Sequence, residues 1–121
     1  MNGKDEEQVQ QSCLFCRIVA GSIPADVVYS DEQTVAFRDI NPQAPTHILV
    51  IPRRHIPDAL SAAGAGVWEP VMSTAARLAR EAGHEQGGYR LVVNSGPDAG
   101  QSVFHLHVHV LGGRTLAWPP G

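Results

Sequence analysis

Polar and apolar positions alternate most regularly in His105-Leu106-His107-Val108-His109-Val110-Leu111. Every second residue there, up to His109, is histidine, and the residues between are apolar. A period of two belongs to a β-strand, whose successive side chains point to opposite faces with about 6.6–6.8 Å between i and i+2. The pattern predicts a strand with its apolar residues in a core and three imidazoles on the other face. Val27-Val28-Tyr29, Thr34–Arg38, His47–Pro52 and Tyr89–Asn94 read as further strands, the first two joined by the turn Ser30-Asp31-Glu32-Gln33. From Val67 to Glu85 the period changes. Val67, Val71, Ala75, Leu78 and Ala82 recur at three- and four-residue spacing, one face of an amphipathic helix with Pro70 in its first turn. Cys13–Ala20 reads as a short helix stopped by Gly21, and a helical turn follows Pro57. The order of elements predicts an α+β domain built on a mainly antiparallel five-stranded sheet, with one short and one long helix.

Composition narrows this little but excludes several classes. A chain of 121 residues, 43% hydrophobic and 17% charged, is one domain with a core of its own. Residues 1–12 are polar and aperiodic and are expected to form a loose tail, leaving 13–121 as the domain. The net charge is −3, and much of it lies in the tail, where Lys4 stands against Asp5, Glu6 and Glu7. No basic patch suits a nucleic-acid partner. No apolar run approaches the roughly 18 residues of a membrane span, and the polar start lacks a signal-peptide core, so a cytoplasmic location is expected.

Chemistry concentrates around the histidine strand. Imidazole titrates near pH ~6.5 and can act as nucleophile, general base or metal ligand. The turn Gly100-Gln101-Ser102 precedes this strand, and Asn94 ends the strand before it. Backbone amides, a hydroxyl and side-chain amides beside imidazoles are a cradle suited to one phosphate. Cys13 and Cys16 form a Cys-x-x-Cys pair too close to staple a fold. Metal ligands, free thiols and a redox pair are the readings open to them.

His105–Leu111 has the form His-φ-His-φ-His-φ-φ. Together with Phe37–His47, Asn94, Gly100–His105 and the ending Leu111–Gly121, it resembles the histidine triad superfamily of nucleotidyl hydrolases and transferases. The closest likeness is to its nucleotide-binding (Hint) branch, over about residues 13–121. The resemblance implies a purine nucleoside phosphoramidase. His107 would attack the α-phosphorus of a nucleoside 5′-phosphoramidate and form a nucleotidyl-histidine that water then hydrolyses. The carbonyl of His105 would hold the other ring proton of His107, and His47 would complete the polar network behind it. His109, Ser102 and Asn94 would contact the phosphate, with Gly100 and Gln101 in the same turn, and Asp39 would accept the ribose hydroxyls. Leu14, Phe15, Ile18, Phe37, Ile40 and Leu49 would form the apolar slot for adenine or guanine.

The cysteine pair resembles bacterial members, in which it binds structural zinc with two histidines, here His55 and His105. No cofactor is implied for the chemistry itself. The family forms homodimers that join two sheets, with Trp118 near the partner's site. AMP, GMP and phosphoramidates are the implied ligands. Three alternatives stand beside this: a dinucleoside polyphosphate hydrolase, a nucleotide sensor or scaffold with incidental hydrolysis, and a metal site on the histidine strand. The near absence of carboxylates around that strand counts against the last.

Overall fold

The computed structural model describes residues 12–121. Apart from Ser12, the expected polar tail lies outside the described residues. Five strands, β1 (Val27–Ser30), β2 (Thr34–Arg38), β3 (Thr46–Pro52), β4 (Tyr89–Val92) and β5 (Val108–Gly112), form one antiparallel sheet in the order β1-β2-β3-β5-β4. Among the described residues two α-helices of more than one turn accompany it, α1 (Leu14–Val19) and α2 (Trp68–Glu81).

Strand alternation divides the interior into two compartments. Ala36 of β2, Ile48 and Val50 of β3, and Val108 and Val110 of β5 bury against Val71, Ala75, Leu78 and Ala79 of α2. Val35, Phe37, Leu49 and Ile51 pack on the other face with Cys13, Phe15 and Cys16. With both faces covered, β2 and β3 become nearly continuous apolar runs. His47 and His109 share the α1 face, because each is two residues from a neighbour on that face in strands paired Leu49↔His109 and His47↔Leu111. That register makes them diagonal neighbours across β3 and β5.

Several boundaries differ from the sequence expectation; β4, for one, stops at Val92 and leaves Asn94 beyond the ladder. The histidine strand joins the ladder only at Val108. Continuing the Val50↔Val108 pairing would set Leu106 opposite Pro52, which has no N–H; the Leu106 amide instead donates to the Ile56 carbonyl at 2.6 Å. The long helix stops at Glu81, not Glu85. Gly83, at φ +91°, adopts the left-handed conformation that closes it, and the His84 amide turns back to the Ala79 carbonyl at 3.0 Å. After Pro57 the chain forms the expected turn, in which the Ala62 amide donates to the Asp58 carbonyl at 3.1 Å, and a short 3₁₀ turn spans Pro97–Ala99.

Candidate active site and metal centre

His107 is buried, and its Nδ1 lies 2.8 Å from the carbonyl oxygen of His105. A carbonyl only accepts, so Nδ1 carries the proton and Nε2 keeps its lone pair. Burial pushes the pKa of His107 below its ordinary value, partly offset by this hydrogen bond, so the ring is neutral at pH 7. The Phe15 ring meets it edge-on at 5.1 Å. A buried neutral imidazole with a free nitrogen is the form a nucleophile needs.

The same bookkeeping orders the other imidazoles. The Gln43 amide donates to His47 Nδ1 at 3.0 Å, which puts the His47 proton on Nε2. That nitrogen is 2.9 Å from His109 Nδ1, so His47 donates and the His109 proton sits on Nε2. His47 therefore stands behind His109, not behind His107. Burial lowers the pKa of His47, and burial with the nearby His107 and His47 pushes that of His109 down to about 4. Asp39 Oδ2 lies 3.4 Å from His47 Nε2, while its Oδ1 accepts the Asn41 amide at 2.8 Å. One carboxylate oxygen thus holds the turn before Pro42 and the other faces the site.

Two cavities meet at His109. An apolar one of about 340 Å³ is lined by Leu14, Phe15, Ile18, Phe37, Ile40 and Leu49, with Asp39, Ser102, His107 and His109 also in its walls. Ile40 at its lip is 99% exposed. A polar cavity of about 500 Å³ contains His47, His109, Asn94, Gln43, Arg90 and Arg114. Asn94 thus belongs to a different cavity from Asp39. Ser102 reaches the apolar cavity, but its two predecessors do not. Gln101 is buried with its amide spent on the Gly96 N–H and the Pro57 and Val103 carbonyls, and the Gly100 amide bonds Pro97. Both shape the loop that presents Ser102. The sequence reading missed Gln43, Arg90 and Arg114. Gln43 and Arg114 lie inside stretches already singled out, and their lone polar side chains among Pro and Gly were the available signal.

Behind His107 lies a second constellation. Cys13, Cys16, His55 and His105 bring four ligand atoms within 4.8 Å of one another, forming a cluster able to hold a metal ion. His105 Nδ1 is 3.6 Å from Cys13 Sγ and 3.5 Å from Cys16 Sγ, and His55 Nδ1 is 3.2 Å from Cys16 Sγ. Tetrahedral zinc with bonds of about 2.0–2.3 Å separates its ligands by roughly 3.5 Å. The fully buried His105 donates Nε2–H to the Pro52 carbonyl at 2.7 Å, which leaves Nδ1 unprotonated toward the sulfurs. Burial, then the adjoining Cys13, pushes the Cys16 thiol up to about 12, so without a cation Cys16 is protonated and inert. The donor set and its protonation fit a closed structural zinc site. His105 thus leaves the histidine row with its side chain while its carbonyl serves His107.

A nucleotide-sized cavity bearing a tautomer-fixed histidine, backed by a histidine relay and a Cys₂His₂ cluster, defines a histidine-triad site. The chain matches the HIT domain over residues 20–116, and it belongs to the HIT family. It is 46% identical over 115 residues to a HIT-like protein of Synechococcus elongatus, covering 93% of this chain and 100% of that one. It is likewise 46% identical over 114 residues to the 14 kDa zinc-binding protein of Zea mays, covering 89% and 87%. Among solved structures, the HIT family hydrolase of Legionella pneumophila superposes with a TM-score of 0.87 at 46% identity, covering 91% of this chain and all of that one. Among the described residues no helix is long and apolar enough to cross a membrane.

Proposed function

We propose that this chain is a purine nucleoside phosphoramidase, hydrolysing the P–N bond of adenosine 5′-phosphoramidates and, by the same attack at the α-phosphorus, the mixed-anhydride P–O bond of aminoacyl-adenylates. The observation that carries this reading is the fixed Nδ1–H tautomer of His107 in the wall of an apolar cavity shared with Asp39, Ser102 and His109. The base lies among Leu14, Phe15, Ile18, Phe37, Ile40 and Leu49, and Asp39 Oδ2, the oxygen that faces the site beside His47, accepts from the ribose hydroxyls. His107 Nε2 bonds to the α-phosphorus as the bond to the amine nitrogen breaks. The amine leaves with a proton taken from solvent, and His109 Nε2–H, fixed by the relay from His47, donates a hydrogen bond to the departing group. Positive charge that develops on His107 is stabilised at Nδ1 by the His105 carbonyl. Water then attacks phosphorus, the P–His107 bond breaks, and the nucleoside monophosphate leaves with the free imidazole regenerated. Ser102 and Asn94 donate to the phosphate oxygens from either side of His109.

Zinc is the ion we assign to Cys13, Cys16, His55 and His105, in keeping with the zinc-binding relative and the soft donor set. When bound it supplies a structural cross-link. The unpaired outer edge of β4 and the 82% exposed Trp118 suit a homodimer that extends the sheet.

A dinucleoside polyphosphate is the second substrate reading. Arg90 and Arg114 in the polar cavity beyond His109 lie where further phosphates would extend. The test is turnover of adenosine 5′-phosphoramidate and of diadenosine polyphosphate by the wild type and by His107→Asn, with and without a chelator. Phosphoramidate hydrolysis abolished in the variant supports the proposal, and preferential polyphosphate cleavage supports the second reading. Tight AMP binding with no turnover of either substrate identifies a nucleotide-binding module.

A further inference from the structure

We infer that the Cys₂His₂ cluster and the nucleotide cavity are coupled through α1, with Phe15 as the positioning residue that joins them, so that an occupied cavity holds the metal more tightly and a bound metal holds the nucleotide more tightly. The inference rests on the apolar cavity being the nucleotide site.

The coupling follows from how six residues of helix are shared out. Residues three and four apart lie on one stripe of a helix. Cys13, which caps α1, and Cys16 make one stripe and turn inward to His55 and His105. Leu14 and Ile18 make the adjoining stripe and line the cavity. Phe15 lies between them. Its buried ring is 6.0 Å from the ring of His105, a cluster ligand, 5.1 Å from the ring of His107, and 5.3 Å from Phe37 in the cavity wall. One side chain thus touches the cluster, the nucleophile and the base slot together.

A helix this short has almost no stability of its own, since isolated helices below about 12–15 residues are marginal in water. Its position on the sheet is set by the two cysteine ligands and by Phe15. Loss of the ligands frees α1, and with it three walls of the cavity and the edge contact on His107. Ligand in the cavity does the converse, because it pins Leu14, Phe15 and Ile18 and so holds the two sulfurs in place. Linkage makes the two effects equal in size.

The experiment measures the rate at which excess chromophoric chelator strips zinc from the loaded protein, with and without saturating AMP, in the wild type and in Phe15→Leu. Loaded protein is used throughout, so no folded metal-free form is required. AMP is expected to slow zinc release about tenfold in the wild type, within the range of ordinary coupling. In Phe15→Leu, release is expected to be faster overall, with AMP still bound and its slowing effect reduced to less than about twofold, because the ring edge between the sites is gone. A purely structural Phe15 would speed release equally with and without AMP, leaving the ratio intact, and that result overturns the inference. So does AMP that binds the wild type, shown by calorimetry, without changing the release rate. Failure of AMP to bind the loaded wild type removes the nucleotide reading itself, and the coupling with it.

Discussion

His47 Nε2 and His109 Nδ1 stand 2.9 Å apart, and the Gln43 amide on the far side of His47 fixes which of them donates. The N–H that His109 presents to the cavity is therefore placed by a backbone N–H two residues removed from it in the relay. His47→Ala removes the middle member and frees both the tautomer and the orientation of His109. Turnover is expected to fall roughly tenfold to a hundredfold with little change in KM, since the misplacement acts at the transition state. Steady-state kinetics on a phosphoramidate with a poor leaving group will show it most clearly.

Acid should destabilise this protein through its buried histidines, His109 among them. His109 binds its proton at about pH 4 in the fold, against an ordinary value near 6.5, because burial and the neighbouring imidazoles oppose the charge. The unfolded chain therefore holds more protons between those values, and stability is full above about pH 6.5 and falls as the pH drops toward 4. Thermal unfolding followed across that window should show the decline. The slope should be shallower in His109→Asn, which keeps all four cluster ligands.

Removal of the metal, by chelation or by Cys16→Ala, is expected to lower the unfolding midpoint by roughly 8 °C or more, as a loss of at least about 2 kcal/mol in a domain of this size requires. Calorimetry of the loaded and stripped protein checks this. An unchanged midpoint would leave the cluster as a set of free side chains.

Gly112 ends β5 in close contact with His84. A Cβ there would lie 2.5 Å from the His84 ring, which itself bonds Thr46 Oγ1 at 2.8 Å. Gly112→Ala should push that ring off Thr46 and destabilise by about 1–3 kcal/mol, read from urea denaturation.

Sedimentation is expected to report about twice the 13.0 kDa chain mass, with Trp118→Ala leaving the dimer intact while altering leaving-group preference.

Period located the histidine strand and the long helix, and β-rich runs with their Gly, Pro and turn residues located the other strands and the short helix, because these patterns depend on neighbours close in sequence. What it missed depends on distant partners. The strand break at Leu106 follows from Pro52 on another strand. The Cys-x-x-Cys spacing was visible, but the ligands facing Cys16 lie 39 and 89 positions away and were named only by resemblance. The partner of His47 was assigned to His107 because sequence order says nothing of register, and a diagonal pairing across β3 and β5 gave it to His109. Gln101 has the composition of a ligand donor, yet three main-chain groups claim it first.

His109 is a party wall between an apolar room and a polar one. In the proposed reaction, the two ends of a substrate that spans it are judged by separate sets of side chains, with only the reacting phosphorus in common. Tolerance for new leaving groups can drift through Arg90, Arg114 and the residues after Gly113 while the preference for the base stays where it is. A scaffold partitioned this way can change what it releases without relearning what it holds.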